Sequence, residues 1–476
     1  MLFDSFPFVF FFLTVTTIYF ITPYNKRWLL LLFSSCYFYM VFVPIYILIL
    51  GFTIVIDYFA GIYIERSTGA RKRLFLIFSL IANIGVLSIF KYYNFLNENL
   101  EYLLHGFGLK NPIPYLSILL PIGLSFHTFQ AMSYTIEIYR GNQAAEKHFG
   151  IYSLYVMFYP QLVAGPIERP QNLLYQFREK YKFDYDRISL GLKMMLWGLF
   201  KKLVIADRLA IYVNATYNHP EYQTGLTLII ATVFFAFQIY CDFSGYSDIA
   251  IGAAKVMGFK LMTNFNRPYF ARSISEFWKR WHISLSTWFK DYLYISLGGN
   301  RVSVPRWYFN LFIVFLLSGL WHGANWTYII WGAVNGFYLI FAIISRRYLK
   351  KINKVIGLER VPKMNQAFQI LVTFILVCFA WIFFRANNLN DAFTVIKKIA
   401  AFKGPLYMEN PSMLIYSSLG ISFLILVELK KEYYKGHFSI FNSQYKSVRY
   451  LSFAMLIIAI LVFGVFDGGQ FIYFQF

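Results

Sequence analysis

His322 lies in the middle of a run, Arg306 to Arg346, that contains no Asp, Glu, Lys or Arg between its ends. Its surroundings read Ser318-Gly319-Leu320-Trp321-His322-Gly323-Ala324-Asn325-Trp326. An ionisable side chain so deep in an apolar segment is costly, and it ordinarily faces a cavity or a partner, which makes a working site the first reading. A hydrogen bond that ties two helices together accounts for it as well. Gly319 and Gly323 keep both readings open, because small residues at four-residue spacing let helices approach closely and also clear room for a substrate.

A second histidine stands in Glu276-Phe277-Trp278-Lys279-Arg280-Trp281-His282-Ile283-Ser284. As one helix, this stretch puts Phe277, Trp281, Leu285, Trp288 and Tyr292 on an apolar face and lets Lys279, Arg280 and Lys290 reach lipid headgroups. That predicts an interfacial helix with His282 at its fringe. One chemistry gives both histidines a purpose. A hydroxyl attacks a thioester poorly unless a group takes its proton, and a neutral imidazole does this near pH 7. Burial keeps an imidazole neutral by penalising its charged form. The oxyanion that follows needs donors, for which the Trp321 indole and the Asn325 amide are candidates; helix packing accounts for Asn325 equally well.

Asp242 and Asp248, in Cys241-Asp242-Phe243-Ser244-Gly245-Tyr246-Ser247-Asp248, are the acidic pair that a proton-coupled exporter of polysaccharide or lipid would use as a relay. The crowding of Ser, Gly and Asp instead predicts a helix break whose freed backbone groups the side chains cap. His127, on an apolar segment, reads as a packing contact, and His105, His148, His219 and His437 read as surface residues. The chain has no HExxH, CxxC pair, P-loop or GxSxG, which argues against metalloprotease, zinc, nucleotide-motor and serine-hydrolase chemistry; no metal is expected.

The elements that must hold these residues are membrane helices. The chain has 476 residues, 58% hydrophobic and 14% charged, with 54 Phe and 38 Tyr and a mean hydropathy of +0.51, far from the roughly 25% charged usage of soluble domains. Apolar runs fall near 7–22, 28–49, 50–63, 74–90, 113–138, 150–165, 190–212, 225–258, 307–323, 326–345, 366–386, 412–428 and 450–466, some of them re-entrant or tilted. The excess of 44 basic over 23 acidic residues gathers in short connections such as Arg66 to Arg73 and Arg346 to Lys354. That pattern orients membrane helices and argues for membrane lipids, and against nucleic acid, as partner. The connections 66–73, 346–363 and 430–449 are placed in the cytoplasm. The segments 168–187 and 255–306 are expected at a membrane surface, Phe6 to Phe20 as a retained first helix, and Cys36, Cys241 and Cys378 as buried thiols. No repeat or shift in composition divides the chain, so residues 1–476 are read as a single all-α, polytopic membrane domain.

The stretch Asn264-Phe265-Asn266-Arg267-Pro268-Tyr269-Phe270, continued through Trp278-Lys279-Arg280-Trp281-His282 to Leu297-Gly298-Gly299-Asn300-Arg301 and completed by Leu320-Trp321-His322-Gly323, resembles the membrane-bound O-acyltransferase family. Pro121-Ile122-Gly123, Gly165-Pro166-Ile167-Glu168-Arg169-Pro170 and the Asp242 block support it, so that the resemblance spans roughly residues 120–335, with 366–476 matching as helices and an aromatic tail. It is strongest toward the bacterial branch that O-acetylates alginate and peptidoglycan, and weaker toward the D-alanylating branch.

The resemblance implies a ring of helices, some re-entrant or interfacial, around a central tunnel in the bacterial inner membrane. It implies His322 as the principal catalytic residue and His282 as its partner. Trp278, Lys279, Arg280, Trp281, Trp321 and Asn325 would lie near a donor tunnel, with cations at its cytoplasmic mouth. Acetyl-CoA is the implied donor substrate, with no tightly bound cofactor. A cell-envelope polysaccharide is the implied acceptor, and a partner with an SGNH-hydrolase-like fold completes transfer. Tyr473, Phe474 and Phe476, in the aromatic ending, resemble the end of a small peptide in the D-alanylation system and are expected on the acceptor side; an interfacial anchor is the alternative. Besides the exporter, a non-catalytic scaffold for envelope enzymes is the competing reading, and it expects His322→Ala to be tolerated.

Overall fold

Long apolar stretches interrupted by Pro, Gly and short basic connections leave the backbone one economical solution in lipid, helices that satisfy their own hydrogen bonds. In the computed structural model, residues 118–120, 164, 407–410, 435–442, 467–470 and 473–476 are outside the description, as is the side chain of residue 352. Among the described residues every regular element is helical. Eight helices are long and apolar enough to cross a membrane: Pro44–Arg66, Gly69–Gly106, Gly225–Met257, Val304–His322, Trp326–Val355, Pro362–Arg385, Pro411–Tyr433 and Lys446–Phe463. Phe6–Ile21 is a shorter apolar helix. The fold is that of an all-α polytopic membrane protein. His437, Tyr473, Phe474 and Phe476 lie outside the described residues.

Several expected boundaries move, each for a local reason. The run 28–49 is a helix, Arg27–Met40, followed by a 3-10 turn at Pro44–Tyr46. The run 113–138 shortens to Leu124–Arg140, which Gly123 opens in a left-handed conformation (φ 76°); a Cβ there would stand 2.6 Å from the Leu162 carbonyl oxygen. The run 150–165 becomes the short helices Phe149–Met157 and Tyr159–Leu162, the second with Pro160 in its first turn. The expected break around Gly245 is absent, since Gly225–Met257 is continuous. Gly245 instead clears room for a neighbour: a Cβ would lie 2.8 Å from the Gly198 carbonyl oxygen.

The chain forms two compact units, one of residues 1–195 and 246–262, the other of residues 196–245 and 263–476. In the first, Ile47–Arg66, Gly69–Leu87 and Leu124–Arg140 pack together. Asp57, which is buried, accepts hydrogen bonds from Ser79 Oγ (2.6 Å) and Asn83 Nδ2 (2.9 Å). His127 Nε2 lies 2.6 Å from Thr53 Oγ1, a packing role. His105, His148 and His219 are exposed. Of the three free thiols, Cys241 and Cys378 are buried and Cys36 is half-buried, which amends its expected burial. Glu168, expected at a surface, is buried and accepts from the Met262 N–H. Burial pushes its carboxyl up to about 7.

In the second unit, Val304–His322 and Trp326–Val355 form a close hairpin. A Cβ on Gly319 would lie 2.2 Å from the Tyr328 carbonyl oxygen, one on Gly332 2.4 Å from that of Phe315, and one on Gly323 2.2 Å from the Tyr328 ring. Gly319 and Gly332 permit backbone contact and Gly323 makes room for the Tyr328 ring, so the space these glycines clear is filled by helix packing. Gly319→Ala is therefore expected to cost about 1–3 kcal/mol, as overpacking does, measured as a lower unfolding midpoint in detergent. An unchanged midpoint would show that the hairpin opens there freely.

Candidate active site

The segment expected to be one interfacial helix is broken. Ile274–Arg280 ends, and Ile283–Trp288 begins with His282 as its N-cap residue in the left-handed region (φ 41°). A π-helical turn, Phe289–Tyr294, follows. The break takes His282 off the fringe and buries it at 1% exposure, alongside Phe277 and Trp281. A bulky residue held at positive φ is a strained conformation that persists only where its surroundings fix it, and such residues gather at functional sites.

His282 sits in an aromatic wall. The Phe243 ring meets it edge-on at 4.5 Å, Phe265 stacks at 6.3 Å, and the Trp321 ring lies 6.3 Å away. Its Nδ1 lies 3.1 Å from Asn264 Oδ1. Burial lowers its pKa from the ordinary 6.5 to about 3, because the charged ring loses its water. The ring therefore stays neutral until the pH falls towards about 3, and its ¹⁵N resonances are expected to hold still between about pH 5 and 8, the range where an ordinary histidine titrates. A midpoint near 6.5 would show that water reaches it.

His322 is the last residue of Val304–His322 and is 4% exposed. Three rings frame it: Trp321 at 4.9 Å, Trp331 at 5.1 Å and Phe384 at 5.3 Å. Trp331 stacks on Trp381 at 5.8 Å, which fixes the far side of that frame. Trp321 thus contacts both imidazoles, one from its own helix and one from the broken segment. The geometry brings together two buried histidines that the sequence separates by the short helix Ile283–Trp288, the π-helical turn, a loop and the length of Val304–His322.

The remaining candidates fall in different places. Trp281 is a core side chain against Phe265 (5.1 Å), Phe277 (5.4 Å) and Trp381 (5.1 Å). Trp278 touches Phe315 and Trp331 at 5.3 and 5.6 Å, so it backs the His322 frame. Lys279 is exposed. Arg280 is engaged internally, at 2.7 Å from Glu276 and 2.9 Å from Glu432, and Glu432 also holds Arg267 at 2.6 Å. Asn325 Oδ1 accepts the Thr327 N–H at 3.0 Å, so it starts the helix Trp326–Val355 as a cap does.

Three further residues belong to this region: Asn264 and Phe471, read in the sequence only as parts of a motif and of the aromatic tail, and Lys202, which went unremarked. Asn264 is fully buried beside His282. Lys202, in a π-helical turn, is fully buried between Asp207 (2.8 Å) and Asp242 (2.9 Å). Phe471 is buried against Phe243 at 5.7 Å, and the Ile472 N–H donates to Asp242 Oδ2 at 2.7 Å, which brings these C-terminal residues to the wall that contacts His282. A lysine inside an apolar run was the available signal for Lys202. Among the described residues, no group of three His, Cys, Asp or Glu side chains is placed to hold a metal ion.

Eight helices long and apolar enough to cross a membrane, with buried imidazoles converging on one indole, define a polytopic membrane protein with a polar pair inside an aromatic core. The chain belongs to the membrane-bound O-acyltransferase family, whose model matches residues 142–389, a span that includes both histidines. It is an O-acyltransferase of the bacterial inner membrane with multiple passes. It is 39% identical over 434 residues to the probable alginate O-acetylase AlgI of Pseudomonas aeruginosa, covering 90% of this chain and 81% of that protein. It is 36% identical over 412 residues to the peptidoglycan O-acetyltransferase of Helicobacter pylori, covering 80% and 75%. It is 28% identical over 362 residues to the teichoic acid D-alanyltransferase of Streptococcus thermophilus, covering 68% and 85%.

Proposed function

We propose that this acyltransferase moves an acetyl group from a cytosolic thioester, acetyl-CoA, across the membrane toward hydroxyls of a cell-envelope polysaccharide, working as one catalytic domain over its whole length. The observation that carries this reading is the placement of His282 and His322, each buried in a wall of aromatic rings and each against Trp321. Alginate and peptidoglycan are the acceptors in the names of its relatives, and a polysaccharide of that kind is the acceptor proposed here.

In the proposed chemistry an acceptor hydroxyl gives its proton to a neutral imidazole as its oxygen bonds to the thioester carbonyl carbon. The tetrahedral oxyanion collapses, the carbon–sulfur bond breaks, and the departing thiolate recovers a proton. The aromatic walls exclude water, which keeps the His282 imidazole neutral and protects the thioester from hydrolysis. The basic connections, placed in the cytoplasm, give the donor its side of entry. Lys279 is the proposed cation for its phosphates, because Arg280 is already held by two carboxylates. On the outer side an SGNH-hydrolase-like partner would complete transfer to the glycan, guided by the aromatic tail with Tyr473, Phe474 and Phe476.

Inverted membrane vesicles containing the protein and its neighbouring gene products, supplied with acetyl-CoA labelled in the acetyl group, test the proposal. Label is expected on polysaccharide hydroxyls, released by mild base. Label that stays on CoA, with folded protein and acceptor present, would overturn it; label passed to lipid alone would replace the acceptor.

A further inference from the structure

We infer that Asn264 is a positioning residue that holds His282 in its Nδ1–H tautomer, so that Nε2 is the ring nitrogen turned to the chemistry as an acceptor beside His322. The chemistry rests on the acyltransferase reading above, whereas the tautomer rests on geometry alone.

The identity of one atom decides the matter. Asn264 Oδ1 receives the backbone N–H of Ser284 at 3.3 Å, and Ser284 Oγ lies 2.9 Å from it. A backbone N–H can only donate, so this atom of the amide is its oxygen. His282 Nδ1 is 3.1 Å from the same oxygen. A bare Nδ1 would set its lone pair against those of the carbonyl in a dry site, whereas Nδ1–H makes a hydrogen bond. Ser284 Oγ lies farther from Nδ1, at 3.5 Å, than from the amide oxygen. A neutral imidazole carries one N–H, so with Nδ1 protonated Nε2 has the free pair. The partner of one ring nitrogen sets the role of the other, as it does wherever histidine works as ligand or base.

The backbone makes Asn264 a rigid support. The Ile283 N–H donates to the Asn264 carbonyl at 2.8 Å, and the Asn266 N–H to that of Arg280 at 2.9 Å, so the two segments clasp each other on both sides of the histidine. Arg267 and Arg280 then fasten this clasp to one carboxylate, Glu432. Both non-glycine residues at positive φ in this segment, Arg267 (φ 45°) and His282 (φ 41°), lie within the clasp. The clasp overrides a local preference in order to aim a ring, and Asn264 is the side chain that touches the ring.

Full-length protein labelled with ¹⁵N-histidine in lipid nanodiscs tests the inference, with the His282 signals assigned by their loss in His282→Gln. Wild type is expected to show a protonated Nδ1 and an unprotonated Nε2. Asn264→Leu is expected to lose that pattern and lower kcat for acetyl transfer by about 10²-fold, the scale of a small misplacement of a reacting group, with the donor KM unchanged. Asn264→Asp, which still accepts from Nδ1–H, is expected to restore the tautomer and most of the rate. A wild-type His282 protonated on Nε2, or a wild-type kcat in Asn264→Leu, would overturn the inference. Should Asn264→Leu fail to elute as folded protein, the wild-type tautomer and the rate of Asn264→Asp decide. Should acetyl-CoA prove not to be the donor, the tautomer is still read from the spectrum, so the two failures are distinguishable.

Discussion

His322→Ala is expected to lower polysaccharide acetylation by a factor of about 10² to 10⁴, the contribution of a positioned general base, while the protein reaches the membrane at its normal level. The stability side is favourable to the test. His322 contributes aromatic contacts with Trp321, Trp331 and Phe384, but the frame does not depend on it, since Trp331 packs directly on Phe384 at 5.2 Å and stacks on Trp381. Removing the imidazole leaves a cavity within a cluster that retains its other members. His322→Gln, which keeps volume and a polar edge but cannot accept a proton to become a cation, is expected to lose as much rate as Ala. Acetyl released from envelope glycan, with protein levels read by blot, checks both variants. Full acetylation in either at normal abundance would remove His322 from the mechanism and restore the scaffold reading.

What the sequence made legible follows from how far its signals reach. His322 stood out because charge is scarce over the run around it, and its neighbour Trp321 is adjacent in the chain. The expectation of one continuous helix with His282 at its fringe went astray because a 3.6-residue apolar period continues through residues 277–292 whether or not the backbone does. Nothing local marks the left-handed residue that breaks it. Asn264 and His282 are 18 residues apart, and a tautomer is set across that gap by a tertiary contact that no period encodes. The Asp242 block was read as a helix break on composition, but Gly245 serves close contact with Gly198 and Asp242 meets a lysine. That ion pair also weakens the exporter reading, since Asp242 is tied to a buried cation and to the Ile472 N–H.

The second large effect is expected at Lys202. Its ammonium group is fully buried, 2.8 Å from Asp207 and 2.9 Å from Asp242, with the carboxylates 6% and 4% exposed. A buried charge pair is weak evidence of net stabilisation, but removing one member of it strands the others and costs about 3–5 kcal/mol. Lys202→Met keeps the length of the stem and leaves two carboxylates facing a site that has lost its cation, so its unfolding midpoint in detergent is expected to fall the most. Asp242→Asn leaves Lys202 paired with Asp207 and keeps an oxygen for the Ile472 N–H, so it is expected to cost less. The double variant Lys202→Met with Asp242→Asn removes one stranded charge and is expected to recover part of the loss, which reports the coupling as a difference rather than as two separate defects. Activity should follow in a different order. Asp242 seats Ile472, Phe471 packs on Phe243, and Phe243 contacts His282, so Asp242→Asn is expected to lower acetylation by more than its small loss of stability explains. An unchanged midpoint in Lys202→Met would mean that water or lipid headgroups reach the triad. Wild-type acetylation in Asp242→Asn would mean that the docked C-terminal residues have no part in presenting His282 to the acceptor.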